Sequence, residues 1–212
     1  MTTGFFLVVE GPEAAGKSTL VRALAQRMHD DGTEIVMVRE PGGTPVAEAL
    51  RHELLDAARH WTPPMELLYL VTARADLVTR VIRPALLAGR TVLSDRYDLS
   101  TTAYQGGGRE LPLEQVRWVN AAATGGLAPD LTVVLDLDPG TARARQQRAG
   151  KGLDRLEREP HEFHARVAAA YSAAGGPGVH HIAADASPDE VLAAAWRLVV
   201  TARPGQFRSR DE

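Results

Sequence analysis

Eight residues near the start of the chain, Gly11-Pro12-Glu13-Ala14-Ala15-Gly16-Lys17-Ser18, follow the pattern G-x-x-x-x-G-K-S. Their types and spacing suit the binding of a polyphosphate. The glycines let the backbone wrap an anion without Cβ clashes, and the loop N–H groups point inward at it. Lys17 can reach the β- and γ-phosphates, and the Ser18 hydroxyl can ligate Mg²⁺. The nucleotide-contacting stretch is therefore Gly11, Pro12, Glu13, Ala14, Ala15, Gly16, Lys17, Ser18 and Thr19. An apolar run, Phe5–Val9, precedes it, and a helical pattern with Leu20, Val21, Leu24 and Met28 on one face follows. That strand–loop–helix context also aims a helix N-terminus at the phosphates.

Further groups with chemical potential follow other apolar runs. Asp95-Arg96-Tyr97 ends one of them: a carboxylate there can hold Mg²⁺ through water, and the adjacent arginine can pair with a phosphate bidentately. A plain structural Asp–Arg pair is the alternative. Arg39-Glu40-Pro41-Gly42-Gly43-Thr44 is a tight turn that is equally suited to a second ligand contact. Asp98 to Arg109 is rich in hydroxyls and contains Gly106-Gly107-Gly108, which reads as a helical turn followed by a flexible loop. Arg143, Arg145, Arg148, Lys151, Arg155 and Arg158 form a cationic run interrupted by Gly150 and Gly152. Such a run is commonly a solvated face, but beside a phosphate loop it can close over a triphosphate.

The elements that must position these groups alternate in type. Strands are expected at Phe5–Val9, Glu34–Val38, Thr91–Ser94, Leu131–Leu137 and Val179–Ala183. Helices are expected at Lys17–Asp30, Pro45–Ala57, Pro64–Leu87 (with a break), Leu113–Thr124, Pro139–Arg148, Pro160–Ala173 and Pro188–Val200. Short apolar strands between helices indicate an α/β fold, a parallel sheet covered on both faces. Ligands in such sheets bind beyond the C-terminal strand ends, where the charged residues above fall. The 212 residues allow one substantial core. We expect a single domain over residues 1–202, with a lid at about 143–158 and a polar tail, 203–212, that frays. A net charge of −3 gives no sign of a nucleic-acid or membrane partner. The absence of cysteine excludes disulfides and thiolate metal sites and is compatible with a reducing compartment. No signal peptide or membrane-length apolar run is visible.

In order and spacing, Glu10-Gly11-x-Glu13, Arg39-Glu40-Pro41-Gly42-Gly43-Thr44, Asp95-Arg96-Tyr97-x-x-Ser100-Thr101-x-Ala103-Tyr104-Gln105-Gly106 and Asp154-Arg155 resemble bacterial thymidylate kinases. The likeness runs from about Phe5 to Arg158. It implies a three-layer αβα P-loop fold with a five-stranded parallel sheet and a small arginine-rich lid. It implies Mg²⁺-dependent transfer of the ATP γ-phosphate to dTMP, with Ser18 and Asp95 at the metal, in a cytoplasmic homodimer. It further implies that Glu13 contacts the sugar side of dTMP, and that Arg51 and Arg96 hold its phosphate with Glu40 nearby. Arg74, Ser100, Thr101 and Gln105 would border the thymine, and Tyr104 would exclude a ribose 2′-hydroxyl. Lys17, Arg96 and Glu13 would be catalytic. The loop has Ala14 where some relatives carry an arginine, so Arg148 and Arg155 of the lid would meet the transition-state charge. Two departures stand out: Leu70 occupies the position of a phenylalanine that stacks on thymine, and Gln146-Gln147 lie within the lid. A monophosphate kinase of altered base preference, or a nucleotide-binding module of weak activity, is the alternative.

Overall fold

The computed structural model describes residues 4–149 and 154–207. Five strands form one parallel sheet in the order β2-β3-β1-β4-β5. They are β1 (Phe5–Glu10), β2 (Ile35–Arg39), β3 (Thr91–Asp95), β4 (Leu131–Asp136) and β5 (Val179–Ala183). The central strand β1 pairs on both sides, Leu7 lying opposite Leu93 and Leu131. Every residue of β1 is buried, which explains why it reads as a continuous apolar run rather than an alternation.

The strand period of two divides the core. Phe5, Leu7 and Val9 face one layer, made by α1 (Lys17–Asp30) and α9 (Pro188–Ala202), where they meet Leu24, Met28, Trp196 and Val199. Phe6 and Val8 face the other, against Leu77, Val78, Ile82 and Leu86. Leu7 and Leu24 are fully buried, so truncation of either to alanine should cost about 2–5 kcal/mol.

The helix over 63–87 continues through its expected break. It comprises α3 (Pro63–Leu77), a π-helical stretch (Val78–Ile82) and α4 (Arg83–Leu87). Pro84 supplies no N–H to the α-helical ladder, and the looser π turn immediately before it carries the chain past that defect. Thr44 caps α2 (Pro45–Leu55), its Oγ1 accepting from the Ala47 N–H at 3.0 Å.

Two expectations are corrected. Thr102–Gly108, read as a flexible glycine loop, is a buried π-helical stretch that follows α5 (Asp98–Thr101). Its glycines permit close packing: a Cβ at Gly108 would lie 2.4 Å from the Phe163 ring, and one at Gly107 would lie 2.8 Å from the Ala170 Cβ. Both contacts are on α8 (His161–Ser172). The stretch also packs against α6 (Leu113–Thr124). The tail does not fray between Arg203 and Phe207. Phe207 is buried between Phe5 and Trp196, and the Gln206 amide donates to Thr91 Oγ1 at 3.0 Å. Residues 208–212, and Lys151 of the cationic run, lie outside the described residues.

Candidate active site

The phosphate-loop sequence leaves β1 at its C-terminal end. Gly11 has φ 140°, and a Cβ there would sit 2.6 Å from the Leu135 carbonyl, so glycine is required twice over. Gly16, at φ 93°, begins α1. Lys17 is the first helical residue and is buried, with Nζ donating to the Pro12 carbonyl at 2.7 Å across the loop. Burial, then repulsion from Arg96, lowers its pKa to about 8, against the opposing pull of Glu13 and Asp95. Ser18 Oγ donates to Asp95 Oδ2 at 2.8 Å, which brings the two expected metal oxygens together at the loop. Two hard oxygen donors fit Mg²⁺, an ion that takes few protein ligands and completes its shell with water and substrate phosphate.

Arg96 is the hub. It stands just past β3 with φ 75°, a left-handed conformation that costs a non-glycine residue about 1–2 kcal/mol. The strain is held by its own backbone: Arg96 N donates to the Val9 carbonyl at 3.0 Å, and Ser94 Oγ donates to the Arg96 carbonyl at 2.7 Å. Its guanidinium meets Glu13 Oε1 at 2.5 Å, the Tyr171 hydroxyl at 2.9 Å, Ser100 Oγ at 3.1 Å and the Tyr104 hydroxyl at 3.2 Å. Tyr104 also donates to Glu13 at 2.8 Å. Burial would raise the Glu13 pKa, but Arg96, Lys17 and Tyr104 together bring it down to about 2. Glu13 is therefore a permanent anion that accepts hydrogen bonds and orients Arg96.

Two residues of this hub have no role assigned from sequence, although Glu10 opens one of the motifs that carry the resemblance. Glu10 is fully buried and accepts from the N–H groups of Tyr97 (2.8 Å) and Ser100 (3.0 Å) and from Ser100 Oγ (2.6 Å). Tyr171, on α8, donates to Glu10 at 3.1 Å. Glu10 had a visible signal, being the charge that ends the apolar β1 run. Tyr171 had none, because its role depends on α8 folding back across the chain.

Across the cleft from the phosphate loop, Arg74 is buried on α3. It gives Nε to Glu40 Oε2 (2.7 Å), a terminal nitrogen to Thr101 Oγ1 (2.8 Å) and another to the Tyr97 carbonyl (2.9 Å). Removing one member of the buried Arg74–Glu40 pair would leave the other uncompensated, at a cost of about 3–5 kcal/mol. Burial raises the Glu40 pKa to about 7 even against Arg74, and Glu40 Oε1 is buried without a hydrogen-bond partner among the described residues. Gln105 Oε1 is in the same condition. Arg51 on α2 donates to the Pro41 carbonyl at 2.8 Å.

One cleft of about 680 Å³ connects these groups. Its walls include Glu13, Ala14, Gly16, Lys17, Ser18 and Thr19 from the phosphate loop and α1, with Asp95 and Arg96 from the end of β3. The opposite wall adds Glu40, Arg51, Leu70, Arg74, Ser100, Thr101, Tyr104 and Gln105, the residues expected to meet dTMP. Gly11, Pro12 and Ala15 shape the loop without lining this cleft.

The two lid arginines are elsewhere. Arg148, on α7 (Pro139–Ala149), is exposed and does not line the cleft. Arg155 is turned onto α3, donating to Glu66 Oε2 at 2.6 Å and to the Leu54 carbonyl at 2.8 Å. Arg145, also on α7, touches the phosphate loop, reaching the Ala14 carbonyl at 3.4 Å and the Ala184 carbonyl at 2.9 Å.

A single crevice with a phosphate cradle at one end, an arginine-lined pocket at the other and a shared Glu13–Arg96 pair is the layout of a two-substrate phosphoryl-transfer site. Comparison with known proteins agrees. The sequence model of thymidylate kinases matches residues 9–195. The chain belongs to the thymidylate kinase family. Among curated thymidylate kinases, that of Cereibacter sphaeroides is 48% identical over 200 residues, covering 91% of this chain and 92% of the relative. That of a Synechococcus strain is 44% identical, covering 97% and 99%. That of Deinococcus radiodurans is 47% identical, covering 79% and 81%. Within the thymidylate kinase fold, β1 delivers the phosphate loop, β3 delivers Asp95 and Arg96, and α3 with the π-helical stretch Thr102–Gly108 walls the other end of the cleft.

Proposed function

We propose that the protein transfers the γ-phosphoryl group of ATP to dTMP, giving dTDP and ADP. The observation that carries this reading is the Glu13–Arg96 pair, which joins the two halves of the cleft. In-line transfer needs the phosphates aligned and their charge neutralised, and the protein's part is positioning and electrostatics. Lys17 and the loop N–H groups hold the donor phosphates. Ser18 and Asp95 would hold Mg²⁺, which would supply positive charge to neutralise the donor phosphates. Arg96 and Arg51 hold the acceptor phosphate, and Glu13 takes a hydrogen bond from the sugar. Leu70 covers one face of the base, while Gln105 and the Arg74 cluster border its edge. Tyr104 fills the space of a 2′-hydroxyl. Residues 143–158 act as the lid of this single domain, with Arg148 and Arg155 as its candidates for the transition-state charge. Arg155 can serve only by exchanging Glu66 for phosphate.

The test is ADP production with dTMP, dUMP, dCMP, dGMP or no acceptor. Fastest turnover with dTMP is expected. Acceptor-independent hydrolysis, or a different best acceptor, would refute the assignment.

The same reading includes a cytoplasmic homodimer. Supporting it, α3 and α6 pack side by side and expose Leu68 (55%) and Trp118 (72%), residues suited to an apolar contact. Among the described residues no helix is long and apolar enough to cross a membrane. Sedimentation at micromolar concentration should give twice the 22.9 kDa chain mass, and a monomer would count against the dimer.

A further inference from the structure

Glu66 is fully buried in the first turn of α3, outside the cleft, and the phosphoryl-transfer reading does not use it. Its carboxylate is nonetheless crowded with donors. Oε1 accepts from Gln105 Nε2 at 2.7 Å and from Arg109 Nε at 3.1 Å. Oε2 accepts from Arg109 at 2.9 Å and from Arg155 at 2.6 Å. Burial disfavours its charge, but these donors prevail and hold its pKa below the usual carboxylate range, so it stays ionised. One rigid anion thus joins residues far apart in sequence: Gln105 in the cleft wall and Arg155 of the Asp154–Glu159 segment.

The Gln105 contact fixes an amide orientation. With Nε2 committed to Glu66, Oε1 is left as a buried acceptor without a partner. Gln105 belongs to the cleft wall, and Oε1, although closed to solvent in the free protein, is the unpaired acceptor that an N–H of a ligand seated there would meet. A nucleobase with a ring N–H at its edge supplies one; a base with an acceptor at that position does not. The Arg155 contact fixes the other end. Its Nε and backbone N–H are both bound to the end of α2, at the Leu54 and Leu55 carbonyls, which leaves a terminal nitrogen to set the position of Oε2.

We propose that Glu66 is a positioning residue that couples Arg155 to the reading of the acceptor base through Gln105. The proposal rests on the dTMP reading of the cleft. Arg109 bridges both oxygens, but Arg155 makes the shorter contact to Oε2, 2.6 Å against 2.9 Å; without it the carboxylate can turn about the Arg109 fork, and Gln105 loses its fixed amide orientation. Removal of Arg155 should therefore diminish what Gln105 contributes to acceptor binding, although the two side chains do not touch.

The test is a double-mutant cycle on dTMP affinity, measured by calorimetric titration without ATP. It uses the wild type, Gln105→Ala, Arg155→Met and the double variant, each checked for an unchanged fold by circular dichroism. In the wild-type background Gln105→Ala should weaken dTMP about tenfold, as expected for one buried hydrogen bond. In the Arg155→Met background it should weaken it less than threefold. Repeating the cycle with Glu66→Gln should abolish the coupling, and the first cycle decides the matter alone if that variant does not fold. Equal effects of Gln105→Ala in both backgrounds, with dTMP binding the wild type normally, would overturn the Glu66 proposal and leave the dTMP reading intact. Failure of dTMP to bind the wild type would overturn both.

Discussion

Tyr69 packs against Trp61 with ring centroids 4.3 Å apart and planes tilted by 53°, and neither ring lines the cleft, whereas the adjacent Leu70 does. One helical residue is a rotation of about 100°, so α3 cannot present both side chains to a base at once. The face that α3 turns to the cleft at this position is thus aliphatic, and under the proposed dTMP reading it meets the base. Base–aromatic stacking is worth about 1–3 kcal/mol, part of which a leucine keeps as apolar burial. Leu70→Phe should lower the Kd for dTMP a few-fold to tenfold, and Tyr69→Ala should leave it nearly unchanged. Titration of dTMP into both variants checks this; loss of binding in Tyr69→Ala with the fold intact would reassign the base contact.

Lys17 predicts a pH dependence. Its pKa in the free protein is about 8, and only the protonated form can grip phosphate. As pH rises through 8 the cation is lost, so kcat/KM for ATP should fall on that limb. Once phosphate is bound it favours the charged form, so kcat should hold to higher pH. Lys17→Ala should lower turnover more than 100-fold with the fold retained. A kcat/KM profile flat to pH 9.5 would contradict the role.

The lid arginines should separate rate from binding. An arginine that acts on a transferring phosphoryl group is worth roughly 10³-fold or more in rate. Arg148→Ala and Arg155→Ala are each expected to reduce kcat far more than they raise KM for ATP. If both raise only KM, the segment is a binding surface.

His181 carries a stability signature. One ring nitrogen meets Asp136 at 2.9 Å and the other meets the Ala174 carbonyl at 2.8 Å. Burial works against its charge, but these acceptors raise its pKa above the ordinary value of 6.5. The contribution is therefore complete below pH 6.5 and disappears as pH rises through the raised pKa. Such partly exposed pairs are weak, so the Tm of the wild type should lose only about 1–3 °C more than that of His181→Gln between pH 6 and pH 9. Parallel Tm curves would exclude the linkage.

Local chemistry made much of the fold readable. β5 was expected at its observed bounds, and the other strands to within a residue at either end, because buried parallel strands are short apolar runs closed by turns. The phosphate loop was equally plain, since its glycines and lysine are adjacent in the chain. What escaped notice depends on distant packing. Gly106-Gly107-Gly108 has the composition of a hinge, and only the approach of α8 makes it a packing surface. Glu66 stands as a lone charge at the start of an apolar helix, with nothing nearby to announce that Arg109 and Arg155 converge on it. Arg155 was expected at the phosphates because it is cationic and in the right segment. Its partner in this structure, a buried carboxylate 89 residues away, could not be inferred from spacing.

The return of the chain to its own beginning has a practical use. Arg203 donates to the Gly4 carbonyl, and Phe207 rests on Phe5 at the start of the central strand, so the two ends of the described fold meet at the N-terminal ends of the strands, opposite the cleft. Ends this close tolerate relinking. A circular permutant in which a short spacer bridges them, with new ends opened in the Thr124–Asp130 connection before β4, would keep every wall of the cleft.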